Sequence, residues 1–184
     1  MIKTLFFIFF LSSYGFSFAQ SEDINILWSE EYQLKWEDFK GAPPEETLFH
    51  ANTNAGMSYS WEFKSSSEDI ELVYKIDNIF YPNLSWVHST SKNDILLKHE
   101  QLHFDISELH ARKLRKTLSN LDLSKLNNGF KSYSKMIYEQ VVKENREMQI
   151  AFDRESNHSL NIEAELRWQQ FIQDELNKFA QYIN

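Results

Sequence analysis

Apolar and polar residues alternate through Met57, Tyr59, Trp61 and Phe63, and again through Ile70, Leu72, Tyr74 and Ile76. A period of two places every second side chain on one face of a half-buried strand. The two runs therefore predict an antiparallel hairpin that turns at Ser65-Ser66-Ser67. Leu84 to His88 predicts a further short strand, and Leu34 to Gly41 leads into a Pro43-Pro44 turn. The period then changes. Lys92 to Lys116 contains no Gly or Pro, and Ile95, Leu96, Leu102, Ile106, Leu109 and Leu114 recur at helical spacing. Ser91 or Asn93 can cap the start, while Arg112, Lys113, Arg115 and Lys116 suit the negative end of the helix dipole. A polar connection from Ser119 to Gly129 precedes a predicted helix over Tyr133–Phe152. An interruption over Asp153–Ser159 and a last helix over Asn161–Phe179 follow. Strands first and helices later predict an α+β domain, a small N-terminal antiparallel sheet packed on three long helices.

The motif helix carries His99-Glu100-Gln101-Leu102-His103, an H-E-x-x-H. Residues four apart lie one above the other on a helix, so His99 and His103 can offer two imidazole nitrogens to one zinc ion. Glu100 lies at the rim of that face, placed to act as general base on a metal-activated water. Catalytic zinc commonly takes three protein ligands. His110 lies seven residues beyond His103, roughly 10 Å along the axis, which is too far to share the ion. Glu108 projects away from the ligand face. His158, in the polar break between the last two helices, is the expected third ligand. Asp153 is the next choice, as ligand or as the carboxylate that orients an imidazole. For the group that stabilises charge on a substrate oxygen, His88 and Arg154 are candidates through their nearness to these segments.

Composition sets the surroundings of this chemistry. Lys3, the apolar run Leu5–Leu11 and the small residues ending at Ala19 predict a cleaved signal peptide over residues 1–19. The run is too short to span a bilayer, so no stable membrane span is expected once it is removed. Residues 20–184 are then expected to form a single exported domain, periplasmic or secreted. The chain has no cysteine, so its core must hold without disulfides. Its formal net charge of −8 and the lack of a basic patch interleaved with aromatics argue against nucleic acid as a partner.

Several stretches together resemble the DUF922 family of bacterial exported proteins. They are Leu34-x-Trp36-x-Asp38-Phe39-x-Gly41, Ser85-Trp86-Val87, Leu97 to Glu108 with Ala111-Arg112, and Phe152 to His158. The family's last segment reads like Tyr-Asp-x-x-Thr-x-His-Gly; here Phe152, Ser156 and Ser159 stand where it has Tyr, Thr and Gly. The resemblance implies a secreted zinc-dependent protease of zincin-like architecture acting on a peptide or protein, and it favours His158 as third ligand. Two other readings use the same residues. One is a non-catalytic exported zinc-binding module; the other is a hydrolase for amides of cell-wall or lipid material. Edge pairing of an extended substrate with the strand holding Trp86 is a further expectation.

Overall fold

The computed structural model describes residues 25–65, 70–123 and 129–184. The expected signal peptide lies outside the described residues, as do Ser66 and Ser67 of the expected hairpin turn. The architecture is α+β. A three-stranded antiparallel sheet has the order β1 (Ile26–Leu27), β4 (Ile70–Phe80), β3 (Ala55–Ser65). The β3–β4 register runs unbroken from Ala55 opposite Phe80 to Ser65 opposite Ile70. A separate two-stranded sheet pairs β2 (Ala51–Asn52) with β5 (Trp86–Val87). The expected strand at Leu84–His88 is therefore short, because Pro82–Leu84 forms a 3-10 turn ahead of it. Proline has no N–H to give a ladder.

Three helices follow: α1 (Asp94–Ser119), α2 (Phe130–Ser156) and α3 (Ile162–Lys178). Asn93 caps α1 by accepting from the Leu96 N–H at 2.9 Å, and Asn161 caps α3 through the Ala164 N–H at 3.2 Å. α1 is the central helix, buried around most of its circumference. One face packs Ala111, Leu114 and Leu118 on Met57 and Ile76 of the sheet and Val141 of α2. Another packs Leu102, Ile106 and Leu109 on Phe152 of α2 and on Ile172 and Leu176 of α3. Trp61 and Phe63 extend beyond α1 and meet Phe130 edge-on, with ring centroids 4.7 and 5.0 Å apart. No helix among the described residues is long and apolar enough to cross a membrane.

Two departures from the sequence pattern shape the site. α2 continues to Ser156, past the expected interruption at Asp153. Asp153 thus stands on a helix, with its direction fixed by the helical repeat, and the break narrows to Asn157–Leu160. There Asn157, His158 and Ser159 all adopt left-handed backbone, with φ of 49°, 50° and 73°. Such angles strain residues with a Cβ, and Asn and His tolerate them better than Ser. The turn is held by the His158 N–H donating to the Asp153 carbonyl at 3.0 Å and the Asn161 N–H to the Ser156 carbonyl at 2.7 Å. Ser159 thus adopts an angle that favours glycine.

Candidate metal centre

The site is built on two facing helix surfaces. His99 and His103 project from consecutive turns of α1, and Asp153 reaches them from the last turn of α2. His99 Nε2 lies 3.2 Å from His103 Nε2, and Asp153 Oδ1 lies 3.3 and 3.0 Å from these two nitrogens. Donor atoms held at 2.0–2.1 Å by a tetrahedral ion are about 3.3 Å apart, the edge of that tetrahedron. Two sides of the triangle, at 3.2 and 3.3 Å, fall close to this edge and the third, at 3.0 Å, is somewhat shorter, so the cluster can hold a metal ion.

The opposite ring nitrogens are also committed. His99 Nδ1 pairs with Glu165 Oε1 of α3 at 2.7 Å, deep in the interior. His103 Nδ1 pairs with Gln149 Oε1 of α2 at 2.5 Å. The Gln149 amide is itself oriented, because its Nε2 donates to the His103 carbonyl at 2.9 Å and to Asn145 Oδ1 at 3.2 Å. Acceptors at Nδ1 keep the proton on that side and turn the Nε2 lone pairs toward a common point. Phe152 packs against both rings, with centroids 4.5 and 5.1 Å away, and limits their rotation.

Glu100 is 3% exposed, and its Oε2 has no hydrogen-bond partner among the described residues. A buried carboxylate oxygen left unpaired is costly, and it fits a group that meets a water or substrate proton. Burial works against a charged His99, but hydrogen bonds to Asp153 and Glu165 outweigh it and, with the Glu100 charge, raise its pKa to about 9. Burial pushes Asp153 up, yet His103 and His99 hold its carboxyl well below the usual range. A cation that binds His99 Nε2 therefore competes with a proton that Asp153 and Glu165 help to hold.

His158 occupies the margin of this group. Its Nδ1 is 3.6 Å from Asp153 Oδ1, and its side chain is half exposed. Among the described residues, the cluster whose donor atoms lie within 4.8 Å of one another consists of His99, His103 and Asp153; His158, the expected third ligand, lies beside it and outside that limit. The physical reason is the extra helical turn, which carries Asp153 inward and leaves His158 on the strained turn beyond. His110 is fully buried and bound through Nδ1 to the Ile106 carbonyl at 2.8 Å, away from the site. Glu108 is engaged by Arg112 and Arg115.

A groove of about 1110 Å³ opens over the cluster. Its floor is His99, Glu100 and His103; residues 48–53 form one wall and the exposed face of α2 the other. His50 lines it, with its Nδ1 held by Ser91 Oγ at 3.1 Å, whereas His88 and Arg154 do not. β5 is covered by β2, so the strand edge beside the groove belongs to β2 and not to the strand of Trp86. The sequence reading missed Glu165, Gln149 and His50. The first two reach the histidines from 66 and 46 residues away, and no local spacing marks them.

The DUF922 family model, described as a bacterial protein of unknown function, matches residues 33–159. No curated protein and no solved structure matches the chain. The matched span contains His99, Glu100, His103, Asp153 and His158, while Glu165 lies just beyond it. With more than half its length under that model, the chain belongs to the bacterial family DUF922.

Proposed function

We propose that the groove is the active site of an exported zinc-dependent hydrolase, a peptidase of zincin-like architecture. The observation that carries this reading is the triangle of donor atoms near tetrahedral edge lengths beside the unpaired Glu100 oxygen. Two imidazoles and a carboxylate suit zinc, and three ligands leave one position open. A zinc ion in this set would supply a Lewis acid for a carbonyl and lower the pKa of a nearby water toward neutrality.

The remaining work falls to side chains of this chain. Glu100 takes the proton from the attacking water and hands it to the leaving amine. Glu165 and Gln149 hold the two histidines in the tautomer that ligation needs. His158 and His50, both on the groove wall, can donate N–H to charge that develops on the substrate oxygen. The uncovered edge of β2 offers backbone partners to an extended peptide.

Elemental analysis of the mature protein purified without chelator should find one zinc per chain. Glu100→Gln should keep that metal and lose hydrolysis of a peptide library. Metal binding without Glu100-dependent turnover would instead favour a non-catalytic zinc module, and failure to take up zinc would end both readings.

A further inference from the structure

The groove has a length and a polarity of its own. Phe49 meets the His158 ring edge-on, with centroids 5.0 Å apart, and the Tyr138 hydroxyl donates to the Met57 carbonyl at 3.0 Å. These two contacts tie residues 49–57 to α2 at one end and to the turn after it at the other, and make the walls antiparallel. Val142, Arg146, Gln149, Asp153 and Asn157 follow one another at helical spacing along the groove face of α2. At 1.5 Å per residue this face is about 22 Å long, room for six or seven residues of extended chain. Asp153 is off centre. About 16 Å of groove lies on its Val142 side and about 6 Å on its Asn157 side.

Arg146 stands in the longer arm, about 10 Å along α2 from Asp153. Four other arginines are described, and each pairs with a carboxylate: Arg112 and Arg115 with Glu108, Arg154 with Glu155, Arg167 with Glu163. No carboxylate among the described residues lies within ion-pair reach of Arg146. Its neighbours one turn away on either side, Val142 and Ile150, are apolar, groove-lining, and 38% and 54% exposed. Arg146 is itself exposed to the groove, and a guanidinium donates two parallel hydrogen bonds to a carboxylate, which gives the pair a fixed geometry.

We propose that Arg146 selects the substrate: the groove takes an extended peptide carrying Asp or Glu about three residues from the bond at the metal site. The three-residue spacing is the 10 Å offset divided by the rise of an extended chain. The net charge of −8 repels acidic peptides in general, so one arginine set apart from the metal site selects one position and not overall acidity. The assignment of the cleaved bond rests on the peptidase reading; the charge preference does not.

The test uses zinc-loaded Glu100→Gln protein, so that peptides bind without being cut. Fluorescence polarisation compares labelled heptapeptides of otherwise neutral sequence bearing one Asp or one Lys at each position in turn. One position should prefer Asp over Lys at least tenfold. Adding Arg146→Glu should invert that preference, and Arg146→Gln should abolish it. Equal binding of the Asp and Lys peptides, or a ranking that Arg146→Glu leaves in place, would overturn the proposal. Cleavage by the unmutated protein separates the two ideas. Turnover without charge ranking fells the role of Arg146 alone, whereas charge ranking without turnover on any peptide fells the peptidase and keeps the binding site.

Discussion

Asp153, five residues ahead of His158, joins His99 and His103 in the cluster that could hold a metal ion. Asp153 Oδ1 is shared at 3.0–3.6 Å among His99, His103 and His158, and only the first two complete a triangle with it. Asp153→Ala and His103→Ala should therefore abolish stoichiometric zinc in equilibrium dialysis. His158→Ala should retain it, and loss of metal in that variant would return His158 to the ligand set. His110 tests a different property. Burial lowers its pKa and leaves its Nε2 without a partner, so the folded protein holds it neutral. A histidine whose folded pKa is depressed stabilises fully above its unfolded value of about 6.5 and loses that contribution as pH falls below it. His110→Leu removes this titration. Its stability relative to the unmutated chain should improve between pH 7.5 and pH 5, as read from urea denaturation at each pH.

Among elements, two tight junctions control how the helices and loops meet. Ser159 holds φ of 73° in the turn between α2 and α3. Ser159→Gly relieves the Cβ strain there and should stabilise by about 1 kcal/mol, offset in part by glycine's greater freedom when unfolded. A midpoint lower than that of the unmutated chain would mean that the buried serine contributes more than the strain costs. Gly41 is the second junction. Its N–H donates to the Ser85 carbonyl at 2.8 Å, and a Cβ added to it would lie 2.9 Å from the Asn83 and Ser85 carbonyl oxygens. Backbone atoms cannot retreat as a side chain can. Gly41→Ala should cost about 1–3 kcal/mol in denaturant titration and loosen the loop that leads into β5.

Across the whole molecule, α1 joins the sheet, α3 and the C-terminal turn through one buried charge network. Glu108 accepts from Arg112 at 3.1 Å and Arg115 at 2.9 Å. Arg115 also donates to the Ile76 carbonyl of β4 and the Tyr182 carbonyl, and Arg112 to the Leu176 carbonyl of α3. Removing the carboxylate leaves two buried guanidiniums without their shared counter-charge. Glu108→Ala should destabilise by about 3–5 kcal/mol in thermal or chemical unfolding. A loss below about 1 kcal/mol would show that Glu30, 3.2 Å from Arg112, and the carbonyls suffice.

The sequence determined what depends on neighbours along the chain. The two alternating runs specified the hairpin, because a strand's faces follow from a period of two. The unbroken periodicity of Lys92–Lys116 specified α1 and with it the superposition of His99 on His103. The DUF922 motif stretches were legible for the same local reason. Tertiary structure decided what depends on distance. The C-terminal limit of α2 was illegible, since polar Asp153–Ser156 reads as a break until Phe152, 0% exposed against α1 and α3, anchors the last turn. That single turn carries Asp153 inward. Glu165 and Gln149 gained their roles only when α3 and α2 docked, and the groove exists only because β2 crosses opposite α2. Helical spacing fixes which side chains share a face; packing alone fixes what that face meets.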